Sequence, residues 1–210
     1  MGLPQQVKRF TPQEYFDLER KATYRSDYYR GEIFAMAGGS VRHSLIAGNI
    51  VGELHRRLKG TPCAVFESNL RVTIKTTGLR TYPDAAVLCG KPERDLEDKS
   101  GETVTNPTVL FEVLSPTTEA YDRGLKAANY RQIESLRAYV LVSQEAANVE
   151  WFERQADSSW VLRESRGLDG VLAIAAISLK LPVAEIYDRI DFNDAEQAAE
   201  PDPSTRGTHP

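Results

Sequence analysis

The stretch Thr108–Tyr130 reads TVLFEVLSPTTEAYDRGLKAANY, and the fold follows from how it is parsed. Val109 to Leu114 is an apolar run of strand length that carries one carboxylate, Glu112, and Ser115-Pro116 stops it. A carboxylate inside a buried strand costs free energy unless something pairs with it, so Glu112 needs a partner. Thr117 or Thr118 can then cap a helix running to about Ser135. At helical spacing Asp122, Lys126 and Tyr130 share a face with Leu125, Asn129 and Ile133, while Arg123, Ala127, Arg131 and Glu134 share the other. The apolar members turn the first face toward a sheet. A solvated i,i+4 pair between Asp122 and Lys126 is the bland alternative, and their apolar neighbours argue against it.

Upstream, Tyr82 to Cys89 reads as a strand opening on Pro83-Asp84. If it pairs antiparallel with 108–114, a register placing Asp84 opposite Glu112 also places Leu88 opposite Thr108. Two carboxylates then meet at one end of a sheet, which is unfavourable without a cation or a shared proton. Ahead of this strand lie extended segments at 63–67 and 70–75, separated from it by the turn Thr76-Thr77-Gly78. Before them comes a helical pattern over 40–60, with Ile46, Ala47, Ile50, Val51, Leu54 and Leu58 on its apolar arc. His43 falls within that arc and is either a satisfied core histidine or a group reaching the rim of a polar site. Gly38-Gly39-Ser40 lacks the Lys-Ser/Thr ending of a phosphate loop and reads as a turn leading to a Ser cap. Residues 28–36 form a strand or hairpin arm with a bend at Gly31, and Thr11-Pro12 opens a short first helix.

Downstream, 138–143 is a buried strand, 149–153 and 160–163 a hairpin, 172–181 one or two short strands, and 183–190 a closing helix. Residues 90–107 are a long polar connection, either a mobile flap or a tolerated insertion. Cys63 and Cys89 read as small buried side chains, Trp151 and Trp160 as packing residues. The start, MGLPQQVKRF, has no apolar core for a signal peptide, and the near-apolar run 171–179 is about half of a membrane span. The expectation is a cytoplasmic protein without a membrane partner. At 27% charged and 41% hydrophobic the chain is composed like a globular protein. Five acids against Arg206 place the whole net charge of −4 in residues 191–210, leaving 1–190 balanced. The expected organisation is one domain over 1–192 and a disordered acidic tail over 193–210.

A strand-end Asp and a strand-end Glu with no His/Cys cluster make a hard oxygen site suited to Mg²⁺ or Mn²⁺ rather than zinc. With a lysine nearby to orient or deprotonate a water, such parts suit phosphodiester hydrolysis. Pro83-Asp84 followed by Glu112-Val113-Leu114 resembles the PD-(D/E)XK nuclease superfamily. More specifically, GEIFAMAGGSVRH, YPDAAV, and EVLSPTT followed by D-x-x-x-K-x-x-x-Y resemble the Uma-type restriction endonucleases over roughly residues 10–190.

That resemblance implies an α/β (α+β) restriction-endonuclease-like core, a mixed β-sheet flanked by helices, with extra N-terminal strands and a C-terminal hairpin. It implies a Mg²⁺- or Mn²⁺-dependent endonuclease acting on nucleic acid, specifically DNA, as a homodimer. Asp84 and Glu112 would be catalytic metal ligands and the Val113 carbonyl a third. Leu114 stands where superfamily members usually carry the lysine, and Lys126 on the next helix takes that role. Asp122 and Tyr130 would support the site or position substrate, as would His43. An acid from the N-terminal part would complete it, Glu32 in preference to Glu53. Two other readings remain: a degenerate DNA- or protein-binding module, favoured by the lack of a basic stripe, and a glycosidase pair, for which there is no aromatic-rich cleft.

Overall fold

A computed structural model describes residues 8–36 and 38–194 of the chain. Helix α1 (Pro12–Glu19) opens on a capping box: the Thr11 side chain accepts from Glu14 N, and Glu14 accepts from Thr11 N. Strands β1 (Ser26–Tyr29) and β2 (Glu32–Ala35) form a tight hairpin through Arg30-Gly31, both at positive φ (50° and 90°), as a two-residue turn of the primed type requires. Ser40 caps α2 (Val41–Leu58), its Oγ accepting from His43 N, and Ile46, Ile50, Leu54 and Leu58 are its buried face. Then come β3 (Cys63–Glu67), β4 (Arg71–Ile74), β5 (Leu79–Thr81), β6 (Ala85–Cys89), β7 (Thr103–Val104) and β8 (Val109–Leu114). The segment after β8 is α3 (Glu119–Tyr121), a π-turn (Asp122–Lys126) and α4 (Ala127–Tyr130). It leads to β9 (Ala138–Ser143), β10 (Asn148–Arg154), β11 (Trp160–Arg166), β12 (Val171–Ile174), β13 (Leu179–Pro182) and α5 (Val183–Ile186).

The central sheet is six-stranded, ordered β11-β10-β9-β8-β6-β3, and mixed: β8 and β9 run parallel and the other pairs antiparallel. The parallel pair needs a crossover, which α3, the π-turn and α4 supply. Strict alternation along β8 sends Val109, Phe111 and Val113 to one core, shared with α2, α5 and β12–β13. Leu110 and Leu114 go to a second core, with Tyr130 and the strands β4 and β5. Glu112 has the parity of this second face. A second, five-stranded sheet, β2-β1-β5-β4-β7, covers that side.

The β6–β8 register is the one anticipated from the sequence. Ala85 faces Phe111, Ala86 faces Leu110 and Val87 faces Val109, and one further step places Asp84 opposite Glu112. Asp84 N donates to Phe111 O at 3.1 Å, continuing the ladder.

Four expectations are corrected. The 90–107 connection, read as a flap or an insertion without structure of its own, carries a strand and buried contacts: β7 pairs in parallel with β4, Asp98 takes Arg71 Nη2 at 2.9 Å, and Asp95 takes Thr73 Oγ1 at 2.7 Å. Cys63 and Cys89, read as separate small side chains, face each other across β3 and β6 and form a disulfide. The helix expected to reach Ser135 ends at Tyr130, and the closing helix is four residues long. The acidic tail lies, from residue 195, outside the described residues. Among those described, no helix is long and apolar enough to cross a membrane.

Candidate active site

The C-terminal end of β8, the residue before β6, the π-turn, the start of α2 and the β1–β2 hairpin enclose a cavity of about 460 Å³. Its carboxylates are Asp27, Asp84, Glu112 and Asp122, and its basic groups His43 and Lys126. Asp84 sits where Pro83 ends one extended segment and β6 begins. Its Oδ2 accepts from Val113 N at 2.7 Å and lies 3.3 Å from His43 Nε2. Burial pushes the Asp84 carboxyl up, but the His43 hydrogen bond and charge, the Val113 N–H and Lys126 outweigh it and hold the group below its usual value. His43 therefore reaches the polar cavity from the first turn of α2. Gly39 makes room for it, since a Cβ there would stand 2.5 Å from His43 Nδ1.

Glu112 is buried, and its Oε1 accepts from Tyr130 OH at 2.8 Å and from Lys126 Nζ at 2.8 Å. Burial drives its carboxyl well above the ordinary range; Lys126 opposes this, while Asp122 and Asp84 reinforce it. Lys126 Nζ also lies 3.4 Å from Asp122 Oδ1. Burial works against the charged ammonium, yet Glu112, Asp122 and Asp27 outweigh it and hold Lys126 protonated, well above a normal lysine. Asp122 is raised, by burial first, with Lys126 lowering it in part.

The π-turn aims these groups. Ala127 N bonds back to Asp122 O, five residues earlier, and Tyr139 OH bonds the same carbonyl at 3.1 Å. The extra residue shifts the helical phase. Leu125, expected to face the sheet, is 41% exposed, and Ala127, expected to face solvent, is fully buried. Asp122, Lys126, Asn129 and Tyr130 are buried as the spacing suggested.

Neither acid named to complete the site lines the cavity. Glu32 sits at the turn end of the hairpin, 3.7 Å from Arg9 and 42% exposed. Glu53 points to Arg56 and Arg57 on its own helix, which also hold Glu185. The acid that reaches the cavity from the N-terminal part is Asp27 on β1. It is 5% exposed; Oδ2 accepts from Tyr121 OH at 2.8 Å, and Oδ1 is buried with no hydrogen-bond partner. The signal was present in SDYY, a carboxylate beside aromatic strand residues, but a strand start drawn at Tyr28 leaves it out.

Apart from the His43 imidazole the potential donors are oxygens, and the orphaned Asp27 Oδ1 marks a place where a cation or donor belongs. Among the described residues no three His, Cys, Asp or Glu side chains stand together as a group that could hold a metal ion by themselves. Mg²⁺ keeps several waters and needs only one or two carboxylates from a protein. Asp84 and Glu112 both line this cavity, as do Asp27 and Asp122.

The sequence profile of a family described as "Putative restriction endonuclease" matches residues 12–184. Two uncharacterized proteins of Synechocystis sp. are similar along most of their length. One, slr1290, is 33% identical over 184 residues, covering 88% of this chain and 94% of that protein. The other, sll1609, is 32% identical over 161 residues, covering 77% and 90%. A crystal structure from Anabaena variabilis, described as "a putative nuclease belonging to DUF820", superposes with a TM-score of 0.64 at 17% identity, covering 82% of this chain and 97% of that one, and shows the shared fold. The profile match takes in β1, the start of α2, Asp84, β8 and the π-turn, and with them every cavity carboxylate, His43 and Lys126, and the chain belongs to the Uma2 family.

Proposed function

We propose that the protein is a Mg²⁺- or Mn²⁺-dependent endonuclease that hydrolyses phosphodiester bonds in DNA, with Asp84, Glu112 and Lys126 at its centre. One observation carries the reading: the ammonium of Lys126, on a helix beyond β8, is 2.8 Å from Glu112 in the cavity that Asp84 also lines. A solvent-facing Lys126 would have removed it. The cavity's four acids face a single lysine, so a polyanion enters only with a divalent cation that offsets them. Bound by Asp84, Glu112 and the Val113 carbonyl, that cation would polarise the phosphoryl group and acidify a water.

The chain's own residues do the rest. Lys126, held as an ammonium between Glu112 and Asp122, is placed to orient the attacking water and to stabilise charge building on the phosphoryl oxygens, rather than to take a proton. Tyr130 fixes the Glu112 carboxylate, while His43 and the Val113 N–H fix that of Asp84. Asp27 supplies the acid from the N-terminal part. On this reading the protein works in the cytoplasm as a homodimer whose twofold axis matches that of the duplex.

The test is cleavage of plasmid and oligonucleotide DNA with Mg²⁺ or Mn²⁺. Asp84→Ala and Lys126→Ala should each lose about 100-fold or more of the wild-type rate. Equal activity in all three proteins overturns the proposal. A second reading, a non-catalytic DNA- or protein-binding module, draws on the lack of any arginine among the residues lining the cavity. It predicts that calorimetry finds no Mg²⁺ binding, or binding that Glu112→Ala leaves unchanged.

A further inference from the structure

The cavity is not polar throughout. Beside the carboxylates it is walled by Tyr29, Phe34, Met36 and Leu125, and two of these are left half in solvent: Phe34 is 50% exposed and Leu125 41%. The hairpin register explains how apolar and acidic groups come to share one wall. Phe34 pairs directly with Asp27, so both project to the same face of β1–β2, and Tyr29 projects there too, two residues on. Leu125 reaches the mouth because the π-turn rotates it out of the core. A volume of about 460 Å³ is of the size that holds one small organic group largely out of water.

Phosphate recognition does not account for this wall. Proteins that grip an intact duplex mainly by its backbone use Arg and Lys, and Lys126 is already engaged by two carboxylates. The alternative is affinity through the faces of bases, which are available only when a base leaves its stack. A second cavity of about 580 Å³ shares Met36, Gly38, Gly39, His43 and Asp84 with the first and carries Tyr24 and Arg25 beyond them, so a strand has a path on either side of Asp84.

We infer that the apolar wall of Tyr29, Phe34, Met36 and Leu125 receives an unstacked nucleobase. The preferred substrate is then a single-stranded or unpaired nucleotide rather than fully paired duplex. This rests on the nucleic-acid reading above and goes beyond it by naming the substrate's structural state.

Fluorescence titration separates the two. The probes are a duplex with one unpaired 2-aminopurine, the same duplex fully paired, and the corresponding single strand. Wild type should bind the unpaired and single-stranded probes about tenfold or more tighter than the paired one. Phe34→Ala and Leu125→Ala should each reduce that preference toward unity without weakening binding to paired duplex, and Phe34→Trp should retain it. Both side chains are half-exposed, so folding is not at stake, and circular dichroism checks this. Equal affinity for paired and unpaired probes, a preference that survives both alanine variants, or no binding to any probe overturns the inference. Cleavage is scored independently. Metal-dependent cutting without a preference for unpaired DNA leaves the nuclease reading standing and the base pocket refuted. A Phe34-dependent preference in a protein that cuts nothing, or in which Asp84→Ala cuts as well as wild type, does the reverse.

Discussion

Asp27 carries a cost only partly offset: a carboxylate 5% exposed, one oxygen satisfied by Tyr121, the other without a hydrogen bond, and a Lys126 ammonium that it shares with Glu112 and Asp122. Such a group lowers stability unless a ligand uses it. Asp27→Asn keeps an acceptor for Tyr121 and removes the buried charge. Its thermal midpoint should equal or exceed that of wild type, while calorimetry should show Mg²⁺ affinity lower by about 10–100-fold. Tyr130→Phe is its counterpart. Removing the hydroxyl that donates to Glu112 leaves the second face of the sheet packed but loosens the carboxylate. Denaturant unfolding should show a loss of about 1–2 kcal/mol, and metal-supported cleavage should fall more steeply than stability does. Residues of this kind differ in how visible they are in sequence. Glu112 and Asp84 interrupt apolar strands, and Lys126 stands at helical spacing from Asp122, so burial of a charge can be read directly. Asp27 was missed because a hairpin edge two residues longer than drawn moves it from a loop onto a strand face.

At the scale of elements, the strands of the central sheet were legible, β5 and β7 were not, and the helix after β8 was legible only in part. Alternation along β8 and the Pro83-Asp84 opening of β6 fix both strand ends, and closing the ladder near Thr108 leaves one register. The π-turn escapes because a 3.6-residue period has no term for an inserted residue; the sequence pattern alone sends Leu125 inward and Ala127 outward, the reverse of what occurs. Gly124 lies within this turn, and a Cβ added there would meet nothing within 4 Å. Gly124→Ala should therefore raise stability by about 0.5–1 kcal/mol in urea titration, through the smaller backbone entropy lost on folding. Cleavage should be unchanged, because Lys126 keeps its bonds to Glu112 and Asp122. A stability gain accompanied by a loss of cleavage would show instead that the turn must move during turnover.

At the scale of the molecule, the five-stranded sheet is held by ionic contacts that no periodicity reveals. Arg71 and Arg80 flank the Phe16 ring of α1, with guanidinium carbons 4.9 and 5.2 Å from its centroid, and each reaches an acid of the 90–107 segment. That segment looks like a solvated loop because it is polar, yet Asp95 and Asp98 are spent on buried partners. Their pairing with β4 and β5 is non-local, so nothing near them in sequence announces it. Burial pushes the Asp98 carboxyl up, but hydrogen bonds from Ser100, Thr103 and Arg71 and the arginine's charge outweigh it, and the group lies well below its usual value. A depressed folded value means that the stabilisation is fully present above the unfolded carboxyl's ~3.9 and is lost as the pH falls through the folded one. Asp98→Asn leaves the buried Arg71 with only the exposed Glu102, 4.0 Å away, as counter-charge, and at pH 7 should cost about 3 kcal/mol in denaturant unfolding. Repeated at successively lower pH, the gap between variant and wild type should stay constant down to about pH 5 and shrink below about pH 4, as the wild type alone loses its contribution. A gap that stays constant throughout the acid range would show that Asp98 holds the segment by its shape and hydrogen bonds, with its charge contributing nothing.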